Sequence, residues 1–249
     1  MDGRPLISVI TITYNAAETL PLTMESVAEQ TFKDFEHIVV DGASTDDTIL
    51  IARRMGRPGL RIISEPDKGL YDAMNKGLKG ARGHYLIFLN SGDRFHDPDT
   101  LKAYAEAIRK RNPDIVYGET DIVDMEGKRM GPRHLLVPEM LTVDSFSQGM
   151  LICHQAFMVR KDIAPLYDTD YRFSADYDWC IRCIKASRAG DRVNLHRVTI
   201  DYLENGMTEK NKKASLMERF KIMAAHYGSM KALAAHLSFI PRAIKRGKL

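Results

Sequence analysis

The sequence predicts an α/β fold: a mostly parallel central sheet flanked by helices, followed by a helical C-terminal extension. Three observations carry this. Strand-like and helix-like stretches alternate through the first half of the chain. Runs such as Tyr85-Leu86-Ile87-Phe88-Leu89 are apolar at successive positions, as a sheet covered on both faces requires. The 249 residues, 44% of them hydrophobic, suffice to bury one α/β core.

The elements follow in order. Leu6 to Thr13 is a β-branched run ending at Tyr14-Asn15. Leu20, Met24 and Val27 then recur at helical spacing, with Pro21 in the first turn where its missing N–H is tolerated. Phe35 to Val40 reads as a second strand, and Asp46 or Asp47 can cap a helix reaching about Met55. Leu60 to Ile63 is a third strand, Tyr71 to Ala81 a helix, and Tyr85 to Leu89 the fourth strand. Asp97 or Asp99 opens a helix to about Arg111, and Ile115 to Tyr117 resumes strand character. The second half is less regular. Asp121 to Pro138 suggests strands and loops, Ala156 to Arg160 a short strand, Asp176 to Ala189 a helix, and Val193 to Tyr202 a strand; beyond Glu209 the pattern is helical and basic. No internal repeat occurs. The expected organisation is one domain over residues 1–204, its halves about 1–95 and 96–204, with an extension over 205–249.

Composition excludes several classes. Three cysteines are too few and odd in number for a disulfide framework, which points to a reducing compartment. Met1 to Pro5 lacks the order of a signal peptide, and the uncharged stretch Pro5 to Ala17 is too short and Thr-rich to span a bilayer; the expectation is a cytoplasmic chain. The net charge of +3 hides an asymmetry: residues 205–249 carry +8 and the first 204 carry −5. Aromatic residues are not interleaved with the basic tail, so nucleic acid is not expected as a partner.

In parallel α/β sheets ligands bind beyond the carboxyl ends of the strands. Tyr14-Asn15, Asp41-Gly42, Ser64-Glu65 and Asn90-Ser91-Gly92-Asp93 all fall there, and four polar strand ends outline one crevice. Asp41 precedes its turn and can accept a hydrogen bond from a base or a ribose; Asp46 or Asp47 serves as a cap. Asp93 follows a buried strand, and one carboxylate beside a glycine suits a cation held jointly with substrate phosphates, although a tight turn accounts for the same four residues. Asp72 and Lys76, four residues apart, can pair along a helix, while Asn75 and Lys76 can face a ligand early in it. Asp176 and Asp178 stand at a helix start, as caps or as a general base. His154-Gln155 can line the crevice. Cys180 and Cys183 form a C-x-x-C without a second pair and inside a helix, which favours packing over zinc or redox chemistry. No GxxxxGK[ST], no GxGxxG after the first strand, no GxSxG and no HExxH is present.

Taken together, these residues resemble the family-two glycosyltransferases of GT-A fold, with the likeness strongest to bacterial exopolysaccharide enzymes such as the colanic-acid group. The carriers are Ser8 to Asn15, Val39 to Thr48, Ser64 to Gly69, Tyr71 to Gly77 and Phe88 to Asp93, with a weaker match through His154-Gln155 and Ala175 to Asp178. The resemblance implies a nucleotide-diphosphate-sugar donor (UDP, GDP or dTDP) and inverting transfer to a saccharide, lipid-linked and at the inner face of the cytoplasmic membrane. Thr13 and Tyr14 would border the base, with Asn15, Asp41 and Ser44 beside them. Asp72, Asn75, Lys76, Asn90, Ser91 and Gly92 would line the donor side. Asp93 matches the last acid of the family's metal motif, which holds Mn²⁺ or Mg²⁺, although Asn90 and Gly92 replace the acids many relatives carry. Asp176 falls at the catalytic base, with His154, Gln155, Asp178 and Trp179 lining the acceptor side. A sugar nucleotidyltransferase and a non-catalytic nucleotide-sugar-binding subunit are the alternatives. The basic, apolar stretch Lys231 to Lys248 suits either a membrane surface or a helix docked on the domain.

Overall fold

The parallel half expected from the alternating pattern forms around β1 (Ile7–Thr13), every residue of which is buried. The computed structural model describes residues 3–204 and 212–244, with side chains described as far as residue 237. Of the stretch Lys231 to Lys248, given above for the membrane surface, the side chains beyond residue 237 lie outside those described.

Strand β1 is flanked by β2 (Phe35–Asp41) and β4 (Tyr85–Phe88), and β2 by β3 (Arg61–Ser64), all parallel. The register pairs Thr13 with Asp41 and Asp41 with Ser64, so these carboxyl ends form one rim. The rest of the sheet is mixed. Its order is β3-β2-β1-β4-β8-β6-β9-β5, with β5 (Arg94–Phe95), β6 (Ile115–Val123), β7 (Arg129–Pro132) on β6, β8 (Phe157–Arg160) and β9 (Arg192–Leu203). Strand β8 runs antiparallel to β4 and β6, and β6 runs parallel to β9.

Helices cover both faces. Ile38 and Val40 of β2 face the main core, while Val39 faces a smaller one with Leu20, Met24 and Ala52. That alternation places α1 (Leu20–Ala28) and α2 (Thr48–Met55) on one side and α3 (Leu70–Gly80) on the other. Gly77 lets α3 lie close on β1: a Cβ there would stand 2.5 Å from Ile10 Cγ2. Helix α4 (Thr100–Arg111) ends on Asn112 in the left-handed conformation. Helix α5 (Ala175–Ala186) packs into the main core, its Cys180 and Cys183 buried as free thiols. Helices α6 (Lys212–Tyr227) and α7 (Ser229–Ile244) pack against each other, and α7 docks on the 3₁₀ turn Val143–Gln148. Among the described residues no helix is long and apolar enough to cross a membrane.

Two expectations shift. β5 was not anticipated, because two residues carry no periodicity. The helix expected over 176–189 stops at Ala186, where Ser187 turns extended and its hydroxyl takes up the Ile184 carbonyl.

Candidate active site

On the first side of the rim, two loops are cross-stitched. Asn15 donates its N–H to Ser44 Oγ (2.8 Å) and accepts the Thr45 N–H at its side-chain oxygen (2.9 Å). Ala16 donates to Thr48 Oγ1 (2.8 Å) and Ala17 to Asp46 (3.1 Å). Asp46 also accepts the Thr48 N–H and hydroxyl, which hold its carboxyl below the ordinary range; Asp47 occupies the N-cap position without a side-chain cap. Asn15 and Ala43 sit at positive φ, which both tight turns require. Asp41 is buried. Its carboxylate accepts the Ser44 N–H (2.9 Å), the Ser64 hydroxyl (2.7 Å) and the Ser44 hydroxyl, so it organises the floor of the crevice. Beside it Tyr14 stands 63% exposed, while the Thr13 hydroxyl is buried without a partner among the described residues.

The segment from Ser64 to Lys76 closes this end. Lys76 donates to the Pro66 carbonyl (2.7 Å) and pairs with Glu65 (3.1 Å), nearer than the 4.0 Å to Asp72. Asp72 accepts the Lys68 N–H (3.0 Å). Asn75 is buried and spends both halves of its amide on the Tyr167 backbone, at 2.7 and 3.0 Å, so it buttresses the crevice from behind. Gly42 leaves room for Asp67 and Tyr14 to close over it.

The turn after β4 lies deeper. Thr23 ties it to α1, accepting the Gly92 N–H (2.9 Å) and donating to the Asp93 carbonyl (2.8 Å). Gly92 takes φ +99°, and a Cβ there would stand 2.8 Å from Leu203. Ser91 Oγ meets Thr19 Oγ1 at 3.2 Å. Asp93 is 5% exposed; its carboxylate accepts the Leu203 N–H (3.0 Å) and the Gln155 amide. Burial pushes its carboxyl up to about 7, outweighing those two hydrogen bonds.

Asp176, in the first turn of α5, meets groups from two other elements. Tyr71 donates its hydroxyl to Oδ1 (3.1 Å), and His154 Nδ1 lies 3.5 Å from Oδ2. His154 Nε2 lies 3.5 Å from the Asn90 amide nitrogen. Burial pulls the imidazole below its ordinary value more than the Asp176 carboxylate lifts it, so the ring is neutral at pH 7. A neutral ring that accepts from Asn90 at Nε2 carries its proton on Nδ1, toward Asp176. The polar string thus runs Asn90, His154, Asp176, Tyr71 across the crevice.

Gln155, expected on the acceptor side, is instead buried with its amide on the Asp93 carboxylate, and two further expected lining residues also stand elsewhere. Asp178 is buried and paired with Arg182 (2.6 Å) and His226 (2.7 Å), away from Asp176, because residues two apart on a helix leave different faces. Burial works to raise its carboxyl, but His226 and Arg182 outweigh it and hold it low. Trp179 is wholly buried. It stacks on Tyr167 at 4.9 Å, meets Phe88 and Phe157 edge-on, and donates to the Pro165 carbonyl. Its indole is core beneath the site.

With this geometry in view, comparison with known proteins is decisive. The family described as Glycosyl transferase family 2 matches residues 8–165. The chain belongs to that family. This glycosyltransferase is 37% identical over 212 residues to a PGL/p-HBAD biosynthesis glycosyltransferase of Mycobacterium bovis, covering 82% of this chain and 79% of that protein. It is 26% identical to the putative teichuronic acid biosynthesis glycosyltransferase TuaG of Bacillus subtilis, over 98% of each chain. Among solved structures, S. aureus TarS 1–349 in complex with UDP-GlcNAc aligns with TM-score 0.72 at 20% identity, over 94% of this chain and 73% of that one. The mannosyltransferase PcManGT of Pyrobaculum calidifontis, in complex with GDP-Man and Mn²⁺, aligns with TM-score 0.63 at 17% identity, over all of this chain and 77% of that one. The fold is of the GT-A type implied by the motifs.

A divalent cation is general among such enzymes, and the turn after β4 can be tested for one. Among the described residues no three His, Cys, Asp or Glu side chains gather into a metal cluster. Asp93 is nonetheless a buried carboxylate that no described cation faces, and Asn90 in the same turn keeps a buried, unpartnered side-chain oxygen. Buried charges are normally paired or metal-bound, and hard cations favour oxygen ligands completed by substrate phosphates. The donor set fits such an ion. Tyr71, Glu218 and His226 were missed by the sequence reading as parts of this region. Tyr71 stands inside a motif named above; the other two touch α5 from more than 40 residues away and leave no local signal.

Proposed function

We propose that this glycosyltransferase moves a sugar, with inversion, from a nucleotide-diphosphate sugar to a saccharide acceptor in cell-surface polysaccharide synthesis. The observation that carries the reading is the Asp176 carboxylate, held between Tyr71 and His154 on the crevice side of α5. In the reaction the acceptor hydroxyl attacks the anomeric carbon, the bond from that carbon to the diphosphate breaks, and the hydroxyl proton passes to Asp176. Tyr71 and His154 orient the carboxylate, and burial keeps His154 neutral, so it does not neutralise the base. Tyr14 offers an exposed ring to the nucleoside base, and the Asn15, Asp41 and Ser44 stitching holds the floor beneath it. Asp72 and Lys76 shape the loop on the donor-sugar side, and Ser91 and Gly92 border the diphosphate, with Gln155 holding the Asp93 carboxylate behind them. A divalent cation on Asp93 and the Asn90 oxygen would supply charge stabilisation for the departing diphosphate.

The same reading gives the acceptor a lipid carrier and the enzyme a peripheral place on the membrane. Supporting it, Met230, Leu233 and Leu237 stand exposed on one face of α7, while Ala232 and Ala235 are buried on the other. Helix α7 is therefore docked on the domain and still presents an apolar stripe outward.

The test is a screen of UDP-, GDP- and dTDP-sugars for hydrolysis or transfer with Mn²⁺ present and absent. Metal-dependent turnover of one donor, abolished by Asp176→Asn with donor binding retained, is expected. Full activity of that variant would refute the assignment. For the membrane, Leu233→Asp/Leu237→Asp should lose flotation with anionic liposomes, and equal flotation would discard that part.

A further inference from the structure

The start of α5 has no cap of its own. Ser174, at its N-cap position, makes no side-chain cap hydrogen bond; its hydroxyl meets Ser215 Oγ of α6 at 3.0 Å. The successive backbone N–H groups of Arg172, Phe173 and Ser174 instead converge on one carboxylate, that of Glu218 on α6. Arg172 donates to Oε1 at 2.8 Å, and Phe173 and Ser174 donate to Oε2 at 2.7 and 3.0 Å. Successive N–H groups of this kind form a nest for an anion, and a negative charge is favoured at a helix N-terminus. About two turns further along the same helix, His226 pairs with Asp178. Helix α6 therefore grips α5 on both sides of Asp176, which lies two residues beyond Ser174.

Tyr71 and His154 orient the Asp176 carboxylate, and Tyr71 also meets the Asp176 backbone N–H, but both act from across the crevice and neither holds the segment that precedes the helix. We propose that Glu218 is a positioning residue for this reaction: by filling the nest at 172–174 it sets where α5 begins and so where the Asp176 carboxylate stands in the crevice. The proposal rests on Asp176 being the base. It makes α6, which lies beyond the matched family region of residues 8–165, a working part of the active site.

The experiment uses the full chain with Glu218→Ala, Glu218→Gln and, as reference, Asp176→Asn. Three quantities are read: turnover of the nucleotide sugar that the wild type uses in the UDP, GDP and dTDP screen, its dissociation constant, and hydrogen–deuterium exchange across the chain. Glu218→Ala should lower kcat by about 10- to 100-fold, the scale of a misplaced catalytic group, and leave donor affinity within about twofold. Exchange should rise at residues 172–178 and stay unchanged in β1, β2 and β4. Glu218→Gln keeps an oxygen able to accept from Phe173 and Ser174, and should recover most of kcat. Should Glu218→Ala fail to fold, Glu218→Gln carries the test with a smaller fall in kcat and the same local rise in exchange. Wild-type kcat in Glu218→Ala, or loss of donor binding in step with kcat, would overturn the proposal. Asp176→Asn should lose transfer with wild-type exchange. If it retains transfer, the base assignment fails by itself, while the exchange result still reports on the nest.

Discussion

Asp176 and Asp178 stand two residues apart in one helical turn, and the structure predicts opposite consequences for the same change at each. Asp176→Asn keeps an oxygen for the Tyr71 hydroxyl and breaks no ion pair, because the facing His154 is neutral. Its cost to stability should stay below about 1 kcal/mol. The amide cannot take the acceptor proton, and loss of a general base is worth about 100- to 10,000-fold in rate, or about 3–5 kcal/mol of barrier. Asp178→Asn removes a buried carboxylate from Arg182 and His226. It leaves two charge-assisted bonds weakened and should cost about 2–3 kcal/mol of stability, with kcat within about threefold. The assays are urea denaturation of both variants followed by circular dichroism, and donor turnover under saturating conditions. A stable, inactive Asp178→Asn beside an active Asp176→Asn would refute the reasoning, because it would exchange the two roles.

Further outcomes follow from single contacts. His37 is buried against Thr11, and burial, with a smaller push from Arg57, pulls its imidazole down to about 4. A base depressed from 6.5 contributes stability that is present above pH 6.5 and lost as pH falls toward 4, about 3 kcal/mol in all. His37→Gln should flatten that acid limb in urea titrations at pH 7 and pH 4, and parallel limbs would count against it. Gly77→Ala should destabilise despite the better helix propensity of alanine, since its Cβ would meet Ile10 at 2.5 Å; a higher urea midpoint would show that α3 can shift. Tyr14→Ala should raise the donor KM by about threefold to tenfold with kcat held, as loss of one stacked ring would.

Much of this was legible in the sequence because it is local. The run from Leu6 to Thr13 and the buried Tyr85 to Leu89 announce strands through residue type alone, and parallel strands with helices between them must end on a common rim. That rule sets Asp41, Asn90 and Asp93 near the ends of their strands from residue type alone. The orientation of side chains near the start of α5 was harder. Spacing does not settle which face of that first turn meets the core, and the resemblance puts Trp179 at the crevice, whereas its ring packs against Phe88 and Tyr167. Likewise, nothing in Asn75 announces that its amide answers the Tyr167 backbone, 92 residues away. Glu218 reads as an ordinary acid on a basic helix until its three backbone partners are seen.

The distances along the chain between these partners bear on how the enzyme comes into being. The parallel strands β1 to β4 that form the rim lie within the first 93 residues, with β1, β2 and β3 pairing in sequence order and Ile7 of β1 reaching forward to Tyr85 of β4. The corner proposed for catalysis joins Tyr71 to Asp176 and Asp93 to Leu203, each across more than 100 residues, and its helix start is held by Glu218. Contacts this remote close late, because their loop entropy must be met before they give any stability in return. On a ribosome adding about 5–20 residues per second, the strands β1 to β4 emerge roughly ten seconds before α6. The molecule should therefore pass through a stage in which the parallel strands are folded and Asp176 is present but not yet clamped, and truncation within α6 would arrest it there.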